Sequence, residues 1–201
     1  MKLLNSLMLS CAAGLLTGCL VTSVAPFYTI NDLVFEQSLV GDWSKADEPD
    51  EHWRFEKAGA TAYQLDYSSG GKKTAVQAHL FKLQGHLFLD LFSSEQKEEM
   101  LPPPIPTHFL LRVDQLAPTV RMAPMDYEWL KEQLNKEPGA LRHLVIRGSD
   151  NPDDTRVVLT ADTSELQKFL LAHLKTEAAW KDGFVLQKQT VAPKRESSRT
   201  Q

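Results

Sequence analysis

Two segments of alternating character, 75–83 and 86–92, are separated only by Gln84-Gly85. A two-residue loop leaves a hairpin one register, and that register decides which side chains share a face. Leu83 falls opposite His86, Phe81 opposite Phe88 and His79 opposite Asp90. One face of the ribbon then carries Ala78, Leu80, Leu87, Leu89 and Leu91, and it must be core. The other carries His79, Phe81, Leu83, His86, Phe88 and Asp90. Rings mixed with titratable groups need a cover, so this face meets a helix, a second core or a ligand.

The same period of two recurs along the chain. Residues 39–43 read as a first strand; Trp53 and Phe55 alternate with His52, Arg54 and Glu56; Tyr63, Leu65 and Tyr67 alternate with Gln64 and Asp66. Ser68-Ser69-Gly70-Gly71 is a turn. Strands follow at 107–113 and 119–123, and a hairpin pairs 141–147 with 155–160 around Asp150-Asn151-Pro152-Asp153. Residues 183–186 make a last short strand. Between 94 and 106, three glutamates and Pro102-Pro103-Pro104-Ile105-Pro106 make a stiff connector.

Two helices interrupt the strands. Asp126 can cap a helix at 126–136 with Tyr127, Leu130 and Leu134 on one stripe, stopped by Pro138-Gly139. Asp162 with Glu165 three residues on resembles a capping box, opening a helix at 162–175 striped by Leu166, Phe169, Leu170 and Leu174. The expected fold is therefore mostly β with helices (β+α), an antiparallel up-and-down barrel or a strongly curved sheet with the second helix packed on it.

The N-terminus constrains location. Lys2 is the only charge before Cys19, and residues 3–16 are apolar but too short to span a bilayer as a helix. A basic start, a short apolar core and small residues at its end describe a cleaved signal peptide. Leu16-Thr17-Gly18-Cys19 resembles the lipobox of bacterial lipoproteins. That resemblance implies cleavage before Cys19, acylation of its sulfur and nitrogen, and a membrane-anchored chain. Leu20 in the next place, rather than Asp, implies an outer-membrane address in a double-membraned cell, on the periplasmic face or the cell surface. Two or more acyl chains hold stably where one holds weakly. The expected organisation is a signal peptide at 1–18, a tether at 19–32, one β-rich domain at 33–186 and a disordered tail at 187–201.

Processing also settles the cysteines. Cys11 leaves with the signal and Cys19 becomes a thioether, which excludes a cysteine nucleophile, a disulfide and a Cys-type zinc site. Loss of Lys2 leaves 21 basic residues against 26 acidic, a mild acidity that argues against nucleic acid as a partner.

Gly41-Asp42-Trp43, opening the first strand after a loose segment, resembles the Gly-x-Trp that opens lipocalins and related calycin barrels. The resemblance implies a calycin-like barrel with Trp43 plugging its closed end, covered by an Arg from a late strand; Arg147 and Arg156 are the candidates. The wider chain, in Trp-Arg-Phe-Glu-Lys, Ala-His-Leu and His-Leu-Phe-Leu-Asp-Leu, resembles bacterial lipoproteins to which no activity is attached.

Two constellations could carry function. Trp53, Phe55, Tyr63 and Tyr67 face one way on adjacent strands, either as core or as the wall of an apolar cavity; an eight-stranded barrel can just hold one small ligand. His79 and Asp90 are cross-strand neighbours, either a structural pair or a carboxylate-oriented imidazole. His52, His86, His108, His143 and His173 lack metal-ligand spacing, and no Gly-x-Ser-x-Gly or phosphate-cradling loop occurs. No motif calls for a metal or a cofactor. The expected function is thus a non-enzymatic, lipid-anchored envelope lipoprotein that binds an apolar small molecule or an acyl chain. The alternatives are an accessory subunit of an envelope assembly with a filled core, bound to another envelope protein, and an enzyme using His79 and Asp90.

Overall fold

A computed structural model of the chain describes residues 20–189 apart from 46, 49, 94–105 and 148–154. The signal peptide, Cys19, most of the proline connector, the turn at 150–153 and the tail from residue 190 lie outside the described residues. In chain order the elements are β1 (Thr22–Ser23), β2 (Gly41–Lys45), β3 (His52–Lys57), β4 (Ala62–Ser69), β5 (Lys72–Leu83), β6 (His86–Phe92), β7 (His108–Gln115), β8 (Val120–Pro124), α1 (Tyr127–Lys136), β9 (His143–Arg147), β10 (Thr155–Leu159), α2 (Thr163–His173) and β11 (Phe184–Lys188). Among the described residues, no helix is long and apolar enough to cross a membrane.

Strands β2 to β8 pair in succession as an antiparallel meander, and β11 enters between β8 and β2 to close an eight-stranded barrel. Gln84 and Gly85 both take positive φ, 47° and 90°, so the β5–β6 turn twists with its strands, and His79 pairs with Asp90 across it. Inward residues of every barrel strand meet in one core with Trp43, Phe55, Tyr63, Leu65, Leu80, Leu89, Leu111, Met122 and Leu186 among its members.

The sheet forks at β7. Its C-terminal half pairs with β8, whereas His108 and Phe109 pair with β1, which continues into β10 and β9. The predicted hairpin at 141–160 is thus β9–β10 and stands outside the barrel. This leaf, α1, α2 and a 3-10 turn at Glu177–Trp180 enclose a second core against the barrel's outer wall. Phe81, Phe88, Leu110 and Ala123 come from the wall, and Tyr127, Leu130, Leu134, Leu166, Phe169 and Leu170 from the helices. The mixed face of the β5–β6 ribbon is therefore covered by a second core. Asp126 accepts the Trp129 amide at 2.6 Å, and Asp162 accepts that of Glu165 at 3.0 Å, satisfying a free donor at each helix start.

Two boundaries need correction. The segment 19–32, expected to be a tether, belongs to the fold from Val21 onward. Val21 and Phe27 are each 1 % exposed in the second core, and β1 pairs on both sides. Two paired residues with buried neighbours present no period for a sequence to display. At the other end, β11 runs through Lys188, and the Gln189 amide donates to the Asp42 carbonyl at 2.8 Å, so the domain passes the expected limit of 186.

Candidate functional site

The two ends of the barrel differ. Residues 33–40 cross one of them. The Val34 amide donates to the Leu80 carbonyl, Phe35 stacks on Tyr63 at 4.9 Å, and the Tyr63 hydroxyl bonds both backbone groups of Glu36. Trp43, fully buried, takes its indole to this closed end, where the N–H donates to the Leu39 carbonyl at 2.8 Å. The cation over the Trp43 ring is Lys188 of β11, 5.1 Å from the ring centroid. Arg147 and Arg156 belong to the outer leaf. Gly41 makes this arrangement possible. Its φ is +134°, and a Cβ there would lie 3.0 Å from the Lys188 Cε.

At the other end lies a cavity of about 240 Å³. It is formed where β3, β5, β7 and β11 begin and where β4 and β6 finish. Trp53, Tyr67, Val76, Leu91, Phe109 and Phe184 make its wall, and Leu20 and Thr22 reach its rim. Among the described residues, none of those lining it carries a charge. Trp53 meets Tyr67 edge-on at 5.1 Å and Phe184 at 5.5 Å. Burial raises the Tyr67 hydroxyl above its ordinary pKa, keeping it neutral.

Two charges beside Trp53 and Phe184 are paired with each other. Glu51 is buried, accepts from the Trp53 indole at 2.8 Å and lies 3.0 Å from Lys45 Nζ. Desolvation pulls the Lys45 pKa down, but its bond to Glu51 and the charges of Glu51 and Glu48 outweigh that and hold it above the usual value. Lys45 also sits 5.0 Å over the Phe184 ring. The described wall therefore offers an incoming group apolar and aromatic surface with a few hydroxyls.

The four predicted aromatics divide by depth. Trp53 and Tyr67 line the cavity; Phe55 and Tyr63 are fully buried in the packed interior and face no ligand space, a correction to their expected role. They share a face with the others, but residues 33–40 seal their end. Val76, Leu91, Phe109, Phe184 and Leu20 were not expected from the sequence to line a cavity. The first three share the inward parity of Leu80, Leu89 and Leu111, which is the signal that could have found them.

His79 and Asp90 are neighbours in register, yet their side chains part. The fully buried Asp90 carboxylate accepts the Phe27 amide at 3.1 Å and lies 2.7 Å from His108 Nδ1. An ionised carboxylate only accepts, so His108 donates there. His79 Nδ1 instead meets the Tyr28 hydroxyl at 3.1 Å. Burial, with the Asp90 charge, pushes the Tyr28 hydroxyl up to about 12. Burial depresses the His79 pKa although Asp90 pulls it upward. The group is a clasp holding residues 27–28 to the barrel wall, and Asp90 has no free oxygen with which to orient His79. Among the described residues, no group of three or more His, Cys, Asp or Glu side chains is placed to hold a metal. Cys19, the predicted lipidation site, lies outside the described residues.

No protein family, no curated protein and no solved structure matches this chain.

Proposed function

We propose that this chain is a lipid-anchored lipoprotein of the cell envelope, at the outer membrane, whose calycin-like barrel takes the end of an acyl chain or a similar apolar molecule in its mouth. The observation that carries the reading is the cavity at the end opposite Trp43, whose described lining is uncharged and rich in aromatic rings. At about 240 Å³ it falls below the roughly 300–1,000 Å³ of pockets that enclose a drug-sized ligand, so one chain end suits it and a whole lipid does not. The Gly41–Trp43–Lys188 arrangement supports the calycin likeness, with a lysine in the place of the expected arginine. Leu16-Thr17-Gly18-Cys19 supports the anchor.

The mature chain, residues 19–201, made without its leader and hence without lipid, should bind cis-parinaric acid saturably and transfer energy to it from Trp53. Val76→Trp, which fills the cavity, should abolish that binding while near-UV circular dichroism stays native. A folded protein that never saturates overturns the cavity reading. The anchor is checked separately: protein purified from its host's membranes should resist a salt wash and carry the mass of a diacylglyceryl thioether.

A further inference from the structure

Leu20, the residue after the proposed acylation site, is part of the lining of the mouth. The position is fixed. Val21 is buried, Thr22 and Ser23 pair with β7 on one side and β10 on the other, and the Val24 amide donates to the Leu159 carbonyl at 3.0 Å. A group borne by the residue bonded to Leu20 is therefore tethered within one residue of the cavity lining.

We propose that the acyl chain seated in the barrel mouth is one of those borne by Cys19 of the same molecule. The inference rests on the lipid-anchored reading given above. Three observations select this occupant over a free lipid. The cavity volume suits a single chain end. Its described lining has no charge for a head group, and an amide- or ester-linked chain on Cys19 brings none. Attachment next to Leu20 makes the encounter intramolecular, with an effective concentration in the millimolar range that a sparingly soluble fatty acid does not reach. The remaining chains stay available to the bilayer, which needs two for a stable hold. The mouth end then lies against the membrane, and the barrel is stoppered by its own anchor.

The experiment compares three samples by cis-parinaric acid titration, with energy transfer from Trp53 as readout: native acylated protein in phosphatidylcholine vesicles, the acyl-free mature chain, and the acyl-free chain mixed with the same vesicles. The expected result is binding by both acyl-free samples and an apparent affinity about a hundredfold or more lower in the acylated protein. Equal binding by all three overturns the inference and leaves the cavity reading standing. Loss of binding by the acyl-free chain once vesicles are added names a bilayer lipid as the occupant and also overturns it. If the acyl-free chain alone fails to bind, the cavity reading itself fails, and the inference falls with it.

Discussion

Removing the Asp90 carboxylate should unfasten the N-terminal segment from the barrel. The side chain is fully buried, and its two oxygens serve the Phe27 amide at 3.1 Å and His108 Nδ1 at 2.7 Å. Asp90→Ala leaves both donors buried without an acceptor, each at roughly 1–3 kcal/mol. Together the expected destabilisation is about 2–6 kcal/mol, a large fraction of a domain's stability. Asp90→Asn keeps the shape and one acceptor, and His108 can present its other tautomer to the new amide, so the loss should be smaller, about 1–2 kcal/mol. Urea denaturation followed by tryptophan fluorescence measures both, with hydrogen exchange at the Phe27 amide as the local readout. The order Ala worse than Asn, with faster exchange at Phe27, follows from the clasp. If Asp90→Ala lies within about 0.5 kcal/mol of the parent, or Phe27 stays equally protected, the clasp does not hold the segment.

Two further outcomes are expected. His79 has its pKa depressed below the ordinary 6.5 by burial, so the unfolded chain takes a proton more readily; stability is full above about pH 6.5 and is lost as pH falls through the folded value. Urea midpoints between about pH 7.5 and pH 5 should therefore decline less steeply in His79→Gln, and an unchanged slope would assign the acid sensitivity elsewhere. Gly41→Ala should cost about 1–3 kcal/mol, because φ is +134° and the new Cβ meets the Lys188 Cε at 3.0 Å. Adding Lys188→Met should not restore stability if the backbone conformation, rather than crowding, sets that cost.

The β5–β6 ribbon is legible because its loop is two residues long and both faces are patterned; contacts between residues 77 and 92 are local. Closure of the barrel is another matter. β11 pairs with β2 across most of the chain, and no pattern within residues 183–186 names that partner. The β6–β7 register is hidden by the long connector, and with it the pairing of Phe92 with His108 that brings the imidazole to Asp90. Parity along each strand says which residues point inward but not how deep they lie. Trp53 and Phe55 are two residues apart on one face of β3; one lines the mouth, and the other lies in solid core. What separates them is the packing of Phe35 and Leu39 at the closed end, which is tertiary.

The N-terminal segment is the sharpest case of that limit. Apart from the local bond of the Ala25 amide to Ser23 Oγ, the bonds that place residues 21–28 come from far along the chain: Ser23 Oγ donates to the Leu159 carbonyl, Asp90 takes the Phe27 amide, and Thr163 and Gln167 donate to the carbonyls of Pro26 and Phe27. The segment supplies mostly backbone groups, which every sequence has, and two buried apolar side chains, which fall short of a period. Ahead of a different barrel the same residues would have nothing to bind and would be loose. The proposed anchor and the fold are thus independent when read along the chain, and only the fold brings Leu20 to the cavity rim, through partners more than sixty residues away.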